Sequence, residues 1–168
     1  MEIVLPVELS EDEMGIYEAI RRKAESMLEQ SGTVSMNALA EITRLRQAAC
    51  SAALIEKQWK GENSKISLFL DLVNEIKEGG NRVLVFSQFT SFFQLICHEL
   101  DKAGEQYLYL DGNVSLKQRE HLVDDFQQGK CPLFLISLKA GGLGLNLTGA
   151  NYVIHLDPWW NPAIEQQA

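Results

Sequence analysis

Apolar residues follow two different rhythms along this chain, and the change comes near residue 64. In the first part they recur at helical spacing. Ser10-Glu11-Asp12-Glu13 forms a capping box, in which the Ser10 and Glu13 side chains can each accept from the other's backbone N–H. The acidic first turn suits the positive end of a helix dipole. Met14, Tyr17, Ile20, Ala24 and Leu28 then line one face of an amphipathic helix, which Gln30-Ser31-Gly32-Thr33 breaks. Asn37 can cap a second helix whose apolar stripe is Leu39, Ile42, Leu45, Ala49, Ala53 and Leu54. Lys60-Gly61-Glu62-Asn63 reads as a linker, which divides the chain into a helical lead-in, 1–63, and a second region, 64–168.

From Ser64 onward, helices alternate with short apolar runs. Lys65–Glu78 is predicted helical and closes on Gly79-Gly80; Arg82–Phe86 is a strand, apolar at its centre as in a sheet covered on both faces. Helix Thr90–Lys102 ends at Ala103-Gly104. Strand Gln106–Leu110 leads into an Asp111-Gly112 turn. Ser115, with Gln118 three residues on, caps a helix running to Gln128 before Gly129. Leu133–Ser137 and Tyr152–Leu156 are two further strands. The order predicts an α/β fold: an open, mostly parallel sheet with helices on both faces. Ligands of such sheets sit beyond the carboxyl ends of the strands, which singles out Ser87, Gln88, Asp111, Ser137, Lys139 and Asp157.

Composition narrows the class without naming a partner. A chain of 168 residues, 46% hydrophobic and 23% charged, fits one soluble globular domain with a helical appendage. Its longest apolar runs are too short to span a bilayer, and Met1-Glu2 opens nothing resembling a signal peptide. Cys50, Cys97 and Cys131 are odd in number and widely spaced, as expected of buried thiols in a reducing compartment. A net charge of −8 speaks against a generally basic surface. It leaves room for a local groove, because backbone N–H groups, hydroxyls and a few lysines suffice to hold phosphates.

The segment Ser137–Gly149 carries the most specific chemistry. Its glycines permit close approach and concave arrays of N–H groups that hold anions, and Ser137 and Lys139 add a hydroxyl and a positive charge. A tight strand-to-strand connection explains the same glycines. The chain has no GxxxxGK[ST] loop, and Gly142-x-Gly144 lacks the third glycine of a dinucleotide fingerprint. His98, His121 and His155 have no partners at metal-ligand spacing, so no metal site is expected, and no nucleophile–base arrangement stands out. Asp111, Asp157 and Glu165 fit turn or capping duty. Trp159-Trp160, between Pro158 and Asn161-Pro162, suits either core packing or a platform for bases or another domain.

Taken in order, Val83–Thr90 ("VLVFSQFT"), Tyr107–Gly112 ("YLYLDG") and Ile136–Ala168 ("ISLKAGGLGLNLTGANYVIHLDPWWNPAIEQQA") resemble the second RecA-like lobe of Swi/Snf-type DNA translocases of helicase superfamily 2. The resemblance is dense over Ser64–Ala168 and looser over Ile42–Gln47 of the lead-in. It implies that Ser87 and Gln88 correspond to motif IV, at a strand end facing nucleic acid. Ser137, Lys139, Ala140 and Gly141 correspond to the part of motif V that contacts the DNA backbone, and Gly142, Gly144 and Asn146 to its ATP-facing part. Trp159 and Trp160 occupy the extended motif V that couples nucleotide state to DNA grip. Arg119 sits where the family has an arginine after its "DG" turn, although Asn113-Val114 replaces the usual Ser-Thr.

The resemblance further implies double-stranded DNA as partner, with ATP and Mg²⁺ bound mainly by a first RecA-like lobe whose phosphate loop and acidic pair are absent from this sequence. Arginine fingers of motif VI normally follow a "QA" dipeptide, and the sequence ends at Gln167-Ala168. The expectation is therefore a lobe cut within motif VI, with no catalytic residue of its own and inactive alone as an ATPase. A DNA-bound protein would be the substrate of the complete motor, in bacterial cytoplasm or in a nucleus. The competing expectation is a non-catalytic interaction module that keeps the fold and uses Trp159-Trp160 and the lead-in helices as a binding face.

Overall fold

The computed structural model describes residues 1–31, 36–141 and 145–158. The chain falls into two compact units, Met1–Phe69 and Leu70–Ala168.

In the first unit, helix α1 spans Glu11–Ser31 and helix α2 spans Met36–Cys50, packed against each other. The capping box at the start of α1 is present: the Ser10 N–H donates to Glu13 at 2.9 Å, and the Glu13 N–H to the Ser10 hydroxyl at 3.3 Å. Glu13 does more than cap its own helix. It is buried, and it also accepts from the Ser64 N–H at 3.1 Å and from the Ser64 hydroxyl. One carboxylate thus serves the amino ends of both α1 and α3 (Ser64–Glu78), where it complements two helix dipoles. Between the hairpin helices, Lys23 pairs with the buried Glu41 at 2.6 Å.

The second helix departs from its sequence-based outline. Asn37 lies inside α2 rather than before it, and the residues ahead of Met36 are outside the described ones. The buried face is Ala38, Glu41, Ala48 and Cys50, while Leu39 is exposed. Helix α2 stops at Cys50, before Ala53 and Leu54. Ser51 ends it by taking an extended backbone, and its hydroxyl accepts from the Ala53 N–H at 3.1 Å, starting a single 3-10 turn over Ala52–Leu54. A serine hydroxyl that offers the backbone a local alternative competes with helix continuation.

The second unit is a parallel sheet with alternating helices. After α3 come strand β1 (Val83–Ser87), helix α4 (Thr90–Lys102), strand β2 (Leu108–Leu110), helix α5 (Leu116–Gln127) and strand β3 (Leu133–Ser137). A four-residue helix α6 (Leu138–Gly141) follows, and then strand β4 (Tyr152–His155). The order across the four-stranded sheet is β2-β3-β1-β4, with every pairing parallel. Strands β1 and β3 are buried at every position, as their apolar runs predict. Strand β2 is shorter than the run Gln106–Leu110 suggests.

Leu84 and Phe86 of β1, Phe134 and Ile136 of β3 and Leu110 of β2 form one core with Phe126 of α5. On the other face, Phe93 of α4 meets Tyr109 edge-on, with ring centroids 5.8 Å apart. Helices therefore cover both faces, α5 on one and α4 on the other. Among the described residues, strand β4 pairs with β1 alone and leaves Tyr152 and Val153 each 48% exposed, the marks of an edge. Helix α5 begins with the expected Ser115–Gln118 capping box.

Candidate functional site

Register brings the predicted positions into line. Ser87 of β1 is opposite Ser137 of β3, Leu110 of β2 is opposite Ile136, and Phe86 is opposite His155 of β4. The next residues along these strands, Asp111, Ser137, Ser87 with Gln88, and Asp157, therefore share the carboxyl-terminal edge of the sheet. Helix α6 starts directly after Ser137 and places Lys139 there, exposed. Arg119 belongs to the first turns of α5, which opens at the same edge after the β2 turn.

This edge is where buried polar atoms lack partners. In the second unit, the described residues with a buried and unpaired side-chain polar atom are Ser137 (Oγ), Gln88 (Nε2) and Arg119 (Nε). Ser137 is 1% exposed. A buried hydroxyl without a partner forfeits the hydrogen bonds it made with water, a cost that folded proteins normally avoid.

Ser87 is different. It is 0% exposed, and its hydroxyl is engaged within the fold: it donates to Asp157 Oδ1 at 2.5 Å and accepts from the Phe89 N–H at 3.1 Å. The second oxygen of Asp157 accepts from the Gln88 N–H at 3.3 Å. The strand-end reading of Asp157 as a turn carboxylate is too local, because the residue crosses from the end of β4 to fix the turn after β1. Only the strand order reveals this, since 69 and 70 residues separate the partners.

Asp111 keeps to its own turn. Its carboxylate accepts from the Asn113 N–H at 2.9 Å and from the Tyr109 hydroxyl at 3.2 Å. Burial, reinforced by the Asp111 charge, pushes the Tyr109 phenol up to about 12. Burial also raises the Cys97 and Cys131 thiols.

Asn146 is held elsewhere. Its carbonyl accepts from the Gln127 side-chain amide at 2.9 Å, at the last residue of α5. The same end of α5 receives Arg82, whose guanidinium donates to Phe126 O at 2.8 Å and Gln127 O at 3.3 Å and lies 5.6 Å from the Phe126 ring centroid. Arg82 immediately precedes β1, so the Asn146 main chain is tied to the amino-terminal side of the sheet, while its side chain is exposed. Asn151 completes this network, and no sequence pattern marks it. Gly141 closes α6. Gly142, Gly144, Trp159, Trp160 and Glu165 lie outside the described residues.

His98, His121 and His155 are all exposed, and His155 stacks on Phe86 with centroids 5.5 Å apart. Among the described residues, no group of three or more His, Cys, Asp or Glu side chains could hold a metal ion.

Comparison with known proteins agrees with this architecture. Residues 64–168 match the family model described as the helicase conserved C-terminal domain. The chain is 45% identical over 117 residues to DNA repair protein RAD5B of Arabidopsis thaliana, covering 68% of this chain and 9% of that protein. It is 34% identical over 170 residues to the putative ATP-dependent helicase/translocase YwqA of Bacillus subtilis, covering 96% of this chain and 18% of that protein. The chain thus spans less than a fifth of either relative. The C-terminal domain of a Sulfolobus solfataricus SWI2/SNF2 ATPase has the same fold, with a TM-score of 0.80 and 26% identity over 94% of this chain and 72% of that one. A core of that ATPase type from the same organism, solved with double-stranded DNA, also has the fold, with a TM-score of 0.80 and 23% identity over 96% of this chain and 36% of that one. The chain belongs to the helicase conserved C-terminal domain family, as a second RecA-like lobe of the SWI2/SNF2 type.

Proposed function

We propose that this chain is the second motor lobe of an ATP-dependent translocase on double-stranded DNA, and that the carboxyl edge of its sheet is the backbone-contacting surface. The observation that carries this reading is the buried Ser137 hydroxyl without a partner, at the end of the central strand β3, with exposed Lys139 two residues on. Phosphate oxygens accept from hydroxyls, amides and ammonium groups whatever the base sequence, which is what a tracking motor requires. The unpaired Gln88 amide extends the same polar line, and Gly141 lets the backbone come close. A curated relative named as a helicase/translocase and a fold neighbour solved with duplex DNA support the choice of partner.

Gly142, Gly144 and Asn146 are the residues through which this lobe would meet the nucleotide. The Asn146 side chain is exposed, although its main-chain carbonyl is tied to Gln127 on the amino-terminal side of the sheet, away from the Ser137 edge. ATP with Mg²⁺ would supply the free energy for closing and reopening the lobes. Trp159-Trp160 and Arg119 would relay nucleotide state to the DNA grip. The catalytic arginines and the phosphate loop are assigned to motif VI and to a first lobe, the partner within the same polypeptide. The 168-residue chain alone should then hydrolyse no ATP above buffer.

The test is duplex-DNA-stimulated ATP hydrolysis by this lobe joined to a first lobe and motif VI. Stimulation is expected; a folded protein without it overturns the reading. In the same assay, Lys139→Ala should raise the DNA concentration for half-stimulation and lower the salt slope of binding by about one ion, as loss of one phosphate contact requires.

A further inference from the structure

We infer that Asp157 is a positioning residue for the DNA-contacting edge: its carboxylate sets the conformation of the 87–89 turn. This rests on the DNA-contacting reading above. Three observations carry it. The Asp157 carboxylate is 97% removed from solvent by its own fold, at 3% exposure, and each of its oxygens is committed to the turn. The Ser87 hydroxyl, which it receives, in turn accepts from the Phe89 N–H at the entrance of α4. No side-chain cap serves α4, so this relay is what stands at its amino end. The Ser87 side chain is consequently scaffold, and the polar group the turn retains for a ligand is Gln88, whose Nε2 has no partner.

The chemistry explains why a carboxylate is needed. The two donors, an O–H and an N–H, reach different oxygens of the group, and a carboxylate supplies both acceptors with no competing donor. Alanine would leave both donors buried without an acceptor. Asparagine retains one acceptor oxygen and brings an amide that can donate to Ser87 Oγ, so it preserves part of the arrangement. The clasp ties the end of β4 to the turn after β1.

The experiment uses the 168-residue chain and reads two quantities: amide hydrogen exchange, residue by residue, and binding of a labelled DNA duplex at low salt. In Asp157→Ala, exchange at Gln88 and Phe89 should accelerate at least about ten-fold, whereas Val83–Phe86, locked in the sheet, stay protected. Duplex affinity should fall several-fold, Asp157→Asn should lie between, and adding Gln88→Ala to Asp157→Ala should cost little more. Unchanged exchange at Gln88 and Phe89 overturns the clasp. Faster exchange with wild-type affinity, in a chain where Lys139→Ala does weaken binding, overturns the positioning role but leaves the DNA edge standing. Failure of the unmutated chain to bind duplex overturns the DNA reading and the positioning role with it, while the exchange data still judge the clasp. Should Asp157→Ala fail to fold, Ser87→Ala removes a single hydroxyl and must still accelerate exchange at Phe89.

Discussion

The two ends of the sheet are built on opposite principles. At the amino-terminal end, polar groups of the network find partners: Arg82 binds two carbonyls at the close of α5, and Gln127 binds Asn146 and Thr148. Asn151 exchanges bonds with both the N–H and the carbonyl of Arg82. At the carboxyl-terminal end, Ser137, Gln88 and Arg119 each bury a polar atom with no hydrogen-bond partner among the described residues. Both ends belong to the same strands and draw on the same core. The difference lies in the fold itself: it completes the polar groups at the first end and leaves three without a protein partner at the second, where the proposed DNA contact lies. Unsatisfied polar groups are tolerated where binding repays them.

The largest effect on stability is expected at the satisfied end. Arg82→Met keeps the aliphatic stem and removes two bonds to carbonyl oxygens together with the contact on Phe126. Hydrogen bonds to charged groups contribute about 1.5–3 kcal/mol each, less where they share a donor, so thermal unfolding should show a loss of roughly 2 kcal/mol. Duplex binding by the surviving folded fraction should not change. A selective loss of DNA affinity, with stability intact, would reverse the assignment of the two ends.

Ser137→Ala should behave in the contrary way. The hydroxyl has no partner to lose, so removing it leaves stability within about 1 kcal/mol of wild type, neutral or slightly raised. Its cost should appear instead in duplex affinity and in DNA-stimulated ATP hydrolysis of the joined lobes. A destabilised Ser137→Ala protein with unaltered DNA response would show the serine to be structural, and the contrast between the ends would collapse.

The same contrast explains what was legible in the sequence. Strands β1 and β3 announce themselves as continuous apolar runs because both faces of each are covered, and the capping boxes at Ser10 and Ser115 are local patterns that need no tertiary knowledge. The carboxyl-edge positions follow from strand ends alone. The helix α2 stripe runs too far because a serine hydroxyl, rather than apolar spacing, ends that helix before Ala53 and Leu54. The Asp157 clasp and the Arg82 network were illegible for a different reason. Each joins residues brought together by the order β2-β3-β1-β4, and nothing local to Ser87, Asp157, Arg82 or Asn146 encodes that order.

The smallest effect concerns Asp111, the carboxyl-edge residue whose carboxylate already serves its own turn. Its carboxylate is engaged by Asn113 and by Tyr109, and the phenol of Tyr109 is raised to about 12, first by burial and then by the neighbouring charge. A phenol whose folded value lies above its unfolded one contributes stability that is whole below about pH 10 and is lost as pH climbs toward its folded value. Phenolate absorbance should therefore show two tyrosines titrating late on the folded chain, Tyr107 and Tyr109, and Asp111→Asn should bring Tyr109 alone earlier by removing the charge while leaving burial in place. Duplex binding by Asp111→Asn should match wild type. If it strengthened instead, as it would where a carboxylate repels phosphate, Asp111 would lie on the DNA path and the contacting edge would extend one strand further than Ser137, Lys139 and Gln88 define it.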